Sequence, residues 1–160
     1  MTGPISKSKT IVVAIAACGF MHVAGAAEFE SPMTACLSNG TAIGGVNSCG
    51  KIWKLKSGKA ELKAGGKLKV HVKGLVLNDA STGQYNGSPD GVDAVAAAVI
   101  CQGPSGPAVA AQLEPVALSK QGDAKIEGKV ELPNGCVGPV IVLRERYEGK
   151  IGGWLAGTGM

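Results

Sequence analysis

Beyond residue 26 the chain carries one histidine, four cysteines and one short acidic loop, and these bound the chemistry it can perform. His71 stands between Val70 and Val72, where apolar and polar residues alternate, so it shares a solvent-facing side with Lys67, Lys69 and Lys73. A lone surface imidazole has no nucleophile to activate. No Gly-x-Ser-x-Gly occurs, and without a further histidine a Ser or Cys triad lacks its usual base. Carboxylates remain. Asp79, Asp90 and Asp93 gather about one loop, and a pair of them could serve a carboxylate-dependent hydrolysis. Within it, Asn86-Gly87-Ser88-Pro89-Asp90-Gly91 sets oxygen-bearing side chains at alternate positions and then a Gly, like the first half of a calcium loop. Position 12 of such a loop is Ala97 where a Glu is needed, and Pro89 interrupts it, so the EF-hand route fails. What stays is a looser cation candidate made of Asn86, Asp90, Asp93 and Asp79, beside the plainer reading of a turn cluster.

Cys36, Cys49, Cys101 and Cys136 are an even set, which in an exported chain implies two disulfides. Of the three pairings, we expect Cys36–Cys49, closing a Gly/Asn-rich loop, and Cys101–Cys136, joining two strand ends. No C-x-x-C spacing is present, so a structural zinc site is not indicated, and no cofactor is expected. Of the 16 Lys and Arg, Lys7 and Lys9 precede residue 27, leaving 14 against 12 acids. Lys51 to Lys73 nevertheless holds eight Lys against Glu61 alone. Such a block suits an anionic polymer of the cell envelope, with Lys67, Lys69, Lys73 and Trp53 as candidate contacts. It lacks Arg and has no interleaved aromatic except Trp53, so nucleic acid is not the expected partner. The bland alternative is that these lysines are the outer faces of strands, where they discourage edge-to-edge pairing.

The elements that position these residues read as β. With 160 residues, 45% apolar and 18% charged, the chain suits one globular domain, and 25 Gly with eight Pro imply many turns between short strands. Lys51 to Lys56 and Ala60 to Lys63 are short candidates separated by Ser57-Gly58. In Lys67 to Val72, Leu68, Val70 and Val72 face inward, and Gly74 suggests a bulge before Leu75-Val76-Leu77. Val92 to Cys101 is open between a buried strand and a helix capped at Ser88-Pro89; the strand is preferred because its surroundings read as β. Further strands are expected over Gln112 to Leu118, Ala124 to Leu132, Val137 to Tyr147 and Gly152 to Gly157. About seven antiparallel strands make an all-β sandwich, immunoglobulin-like or Greek-key, over 51–160, preceded by an irregular, disulfide-tied segment over 27–50.

Residues 1–26 read as a signal peptide. Lys7 and Lys9 precede an apolar run from Ile11 to Ala27, and Ala24-Gly25-Ala26 supplies an A-x-A exit. The mature chain is expected to begin at Ala27 or Glu28, with no transmembrane span left. A retained anchor is the alternative, though the run is short for a span of about 20 residues. Ile15-Ala16-Ala17-Cys18 offers another, a lipobox with Cys18 lipidated, but residues 19–27 continue apolar where a polar tether would begin.

Gly58 to Leu62, Gly66 to Leu75 and Ala97 to Val109, with its Gly103-Pro104-Ser105-Gly106-Pro107 turn, resemble the pattern of CHRD (chordin-type) domains, which are exported β-sandwich modules. Ala98 and Ile100 stand where that family has His-x-His, so the resemblance implies the fold and no metal or proton chemistry. The expectation is an exported, non-catalytic structural or binding module of the bacterial cell envelope or extracellular space. A lysine-mediated binder of anionic surface polymers is the first alternative, and a small carboxylate-dependent hydrolase the second.

Overall fold

The computed structural model describes residues 28–37, 41–89 and 91–159. The proposed signal peptide, its lipobox Cys18 and Asp90 lie outside the described residues. Eleven strands are present among those described: β1 (Phe29–Ala35), β2 (Trp53–Lys54), β3 (Ser57–Lys63), β4 (Lys67–Lys73), β5 (Val76–Leu77), β6 (Ala94–Gly103), β7 (Gly106–Gln112), β8 (Val116–Ala117), β9 (Ala124–Lys129), β10 (Val137–Tyr147) and β11 (Lys150–Thr158). The fold is all-β and antiparallel, and it holds both expected disulfides.

Two sheet halves share one strand. Phe29 to Pro32 of β1 pair with β3, while Met33 to Ala35 pair with β11, so β1 passes from the half β1-β3-β4-β9 to the half β7-β6-β10-β11-β1. Pro32, which has no N–H to give, stands at the changeover. The halves curl over a common core: β9 lies against β8 and β6, and the Leu113 side chain fills the space above Gly128 of β9. Strand β1 therefore corrects the irregular segment expected over 27–50. Residues 41–49 do fold without long strands, and they pack on the other half: Gly44 lies against Ile100, and Trp154 N–H donates to Asn47 O at 2.9 Å.

Strand β4 alternates as its sequence demands, with Leu68, Val70 and Val72 buried and Lys67, His71 and Lys73 outside. It is an interior strand between β3 and β9, so its lysines do not guard a sheet edge; β9, with Lys125 and Lys129, is the edge. The open segment is a strand. Ala94 to Cys101 are all buried, and since successive side chains point to opposite faces, β6 is covered on both sides. Alanines make that possible, being small enough to let neighbouring layers close in.

Three local expectations are corrected. Gly74 adopts a left-handed conformation (φ 64°) and ends β4 outright, and β5 pairs with β2 in a separate two-stranded sheet. Ser57-Gly58 opens β3 instead of separating strands. The segment Gln112 to Leu118 divides between the end of β7 and β8, both on β6.

Candidate functional site

The acidic loop is built as a turn. After β5 the chain makes a 3₁₀ turn over Ala80–Tyr85, and Asp79 caps it: its Oδ1 accepts from Ser81 N–H at 2.9 Å and from the Ser81 hydroxyl at 2.6 Å. Those bonds, the hydroxyl foremost, hold the Asp79 carboxyl below the usual carboxylate range. Asn86 Oδ1 accepts from Asp79 N–H at 3.1 Å and closes the same turn. Asp79 and Asn86 thus meet as backbone caps. Asp93 is committed elsewhere: Arg146 of β10 reaches it through Nη2 at 2.7 Å and Nε at 3.3 Å. This contact lowers the pKa of Asp93 and raises that of Arg146. Among the described residues no three His, Cys, Asp or Glu side chains form a group able to share a metal ion.

The lysine candidates lie on the outer face of β3, β4 and β9, where register sorts charge into rows. Glu61, Lys69 and Glu127 are directly opposed across the three strands, with Glu30 of β1 extending the row. Lys59, His71 and Lys125 form the next row, and the shortest salt bridges run between rows: Lys59 to Glu30 at 2.8 Å and to Glu61 at 3.2 Å, Lys125 to Glu127 at 3.0 Å. Hydrogen bonds from these lysines hold Glu61 and Glu127 low and raise Lys59. Lys69 and His71 also approach Glu127, at 4.0 and 3.9 Å. Lys63, Lys67 and Lys129 make a third row of one sign, like charges opposed without benefit to the sheet, and Lys73 faces Ser57. Exposed pairs of this kind add little stability and are screened by salt. Trp53 does not join them. It is 4% exposed, opposite Leu77, with its backbone N–H donated to Cys36 O, so the aromatic contact expected for a polymer is part of the core.

Sequence reasoning missed three charged residues of β10. Arg144 donates through Nε and Nη2 to Gly152 O and through Nη1 to Gln112 Oε1, and partial burial lowers its pKa. Glu145 accepts from Gly153 N–H at 3.3 Å, and burial raises its carboxyl pKa. With Arg146 they form an Arg-Glu-Arg run, and their partners lie on other strands or, for Asp93, just before β6, where no local pattern announces them.

Two of the open depressions among the described residues lie beside charged groups. One of about 550 Å³ is lined by Pro89, Val92, Leu118, Lys120 and the Arg146-bound Asp93. The other, about 450 Å³, holds Lys54, Lys56 and Lys120 around Leu55 and Val76. No protein family, no curated protein and no solved structure matches this chain.

Proposed function

We propose that this chain is an exported, non-catalytic module of the bacterial cell envelope or extracellular space, with a structural or binding role. The observation that carries the reading is the fate of the loop carboxylates: Asp79 caps a turn through Ser81, and Asp93 is held by Arg146. A general acid or nucleophile must be free to meet its substrate, and these two are spent on the backbone and on a guanidinium. Export is supported by two disulfides, which persist in oxidising compartments, together with the signal-like residues 1–26. No helix among the described residues is long and apolar enough to cross a membrane. The resemblance to CHRD-type modules belongs to the same reading, and the positions of that family's histidines, Ala98 and Ile100, are buried in β6.

A second reading, binding of an anionic surface polymer by the β4 face, is favoured by the row Lys63, Lys67 and Lys129. Against it, Lys59, Lys63, Lys69 and Lys125 of that face each have a glutamate within 4.0 Å. Chromatography on an immobilised carboxylated polysaccharide separates the two. A solvated exterior is retained at low salt and released near about 0.15 M, where the Debye length is about 8 Å. Retention at high salt, abolished by Lys67→Gln, Lys69→Gln and Lys73→Gln together in a folded protein, overturns the structural reading.

A further inference from the structure

Lys54 and Lys56 sit two residues apart at the end of β2, and Lys120 comes from a turn far along the chain, yet all three line the same 450 Å³ depression. From this convergence we propose that the depression binds the phosphate group of a phosphomonoester. The proposal deepens the binding half of the function above and does not depend on export.

Regular strand geometry accounts for the lysines of β4, but not for these. They arrive from β2, from the link between β2 and β3, and from the turn Ser119 to Asp123. Each backbone is fixed. Lys54 is opposed to Val76, and Lys56 donates its N–H to Lys73 O at 3.0 Å. The turn is closed by Ser119 N–H to Asp123 O and Gly122 N–H to Ser119 O, with Ser119 Oγ accepting from the N–H groups of Gln121 and Asp123. It is then fastened to the end of β4 by Leu75 N–H to Gly122 O at 2.9 Å and Gly74 N–H to Asp123 Oδ1 at 2.9 Å. Backbone hydrogen bonds hold the frame, and among the described residues no hydrogen bond or ion pair engages the three ammonium groups.

Among the described residues no carboxylate lines the depression, and none of the three lysines has one within 4.0 Å. Asp123, the acid of the same turn, is turned to the Gly74 backbone. Three uncompensated cations facing one space match a dianion better than a carboxylate, and lysines act as point charges suited to a tetrahedral group that presents oxygens on several sides. Leu55 and Val76 give the ester's carbon body an apolar surface, and the Gln121 amide can donate to a remaining oxygen. Among the described residues the lining has no Ser, Thr, Cys, His, Asp or Glu to attack the phosphorus or protonate the leaving group, so the proposed role is to hold the ester.

The test is a titration of the full chain, labelled with ¹⁵N, at about 0.15 M salt. Methyl phosphate is the small probe, acetate the carboxylate control, and vesicles bearing phosphatidic acid the lipid arm. Saturable shifts are expected at Lys54, Lys56, Gly74, Lys120 and Gln121, with methyl phosphate at least about fivefold tighter than acetate. Lys54→Gln with Lys56→Gln and Lys120→Gln should weaken binding by about tenfold or more, while the three β4 substitutions leave it within about twofold. If the triple variant does not fold, Lys120→Gln alone should still weaken binding by about threefold. Tighter capture by vesicles than by methyl phosphate assigns the ester to a lipid headgroup, and equal affinity assigns it to a small ligand. Shifts confined to β3, β4 and β9, no saturation by either phosphate probe, or full binding by the substituted groove overturns the proposal, whether or not the chain is exported.

Discussion

The Arg146 guanidinium grips both carboxylate oxygens of Asp93, tying the far end of β10 to the start of β6. A carboxylate so engaged has its charge already offset by the guanidinium, which weakens it as a metal ligand. Calcium at millimolar concentration is therefore expected to leave the thermal midpoint unchanged to within about 1 °C. A rise of several degrees, lost on Asp79→Asn or Asp93→Asn, would restore the loop as a cation site.

Gly65 and Gly66 follow one another with φ of 76° and 80°, but their surroundings differ. A Cβ on Gly65 meets nothing within 4 Å, whereas one on Gly66 would overlap the Val130 carbonyl, whose own N–H donates to Gly66 O. Gly65→Ala should cost about 1 kcal/mol, the left-handed penalty alone. Gly66→Ala should cost about 3 kcal/mol or more, because backbone must move as well. Denaturant unfolding measures both, and equal costs would contradict the close approach.

The two disulfides close loops of unequal size, with sequence separations of 13 and 35. Loop-closure entropy assigns about 3 kcal/mol to Cys36–Cys49 and about 4 kcal/mol to Cys101–Cys136. Paired Cys→Ala variants should follow that order in denaturant unfolding. Loss of the shorter bridge should also redden tryptophan emission, since the Cys36 carbonyl accepts the backbone N–H of the buried Trp53 and the 41–49 segment holds the backbone of Trp154. An inverted order would show that native packing at Cys36 and Cys49, 1% and 2% exposed, outweighs loop entropy.

Burial raises the pKa of the Glu145 carboxylate. A raised folded-state value means that its contribution to stability is fully present below the unfolded pKa and is lost as pH rises through the folded one. Glu145→Gln keeps an acceptor for Gly153 N–H, so it should match the parent near about pH 4 and melt higher at about pH 7. Glu61, Asp79, Asp93 and Glu127 are shifted the other way and stabilise above the ordinary carboxylate range. A Glu145→Gln variant less stable than the parent at neutral pH would mean that the carboxylate charge is needed there.

What the sequence disclosed follows from how locally each feature is determined. Leu68, Val70 and Val72 declare their face because β4 is flanked on both sides and alternates without interruption. Strand β1 was hidden because it changes partners within seven residues and carries Pro32 and two exposed polar positions. Trp53 lies in a strand of two residues, too short for a period to reveal its side. At the candidate sites the decisive partners are remote: Arg146 lies 53 residues from Asp93, and Lys120 is brought to Lys54 only by the turn that docks on Gly74. Composition reveals a lysine excess, but only the register shows which lysines have glutamates beside them.

The most direct test of an exported, disulfide-braced module is the intact mass of the native protein recovered after cell fractionation, measured before and after thiol alkylation. The account expects a chain beginning at Ala27 or Glu28, outside the cytoplasm, with Cys36, Cys49, Cys101 and Cys136 all unreactive. A full-length chain with alkylated cysteines in the cytoplasmic fraction, or a diacylglyceryl mass on Cys18, would contradict it.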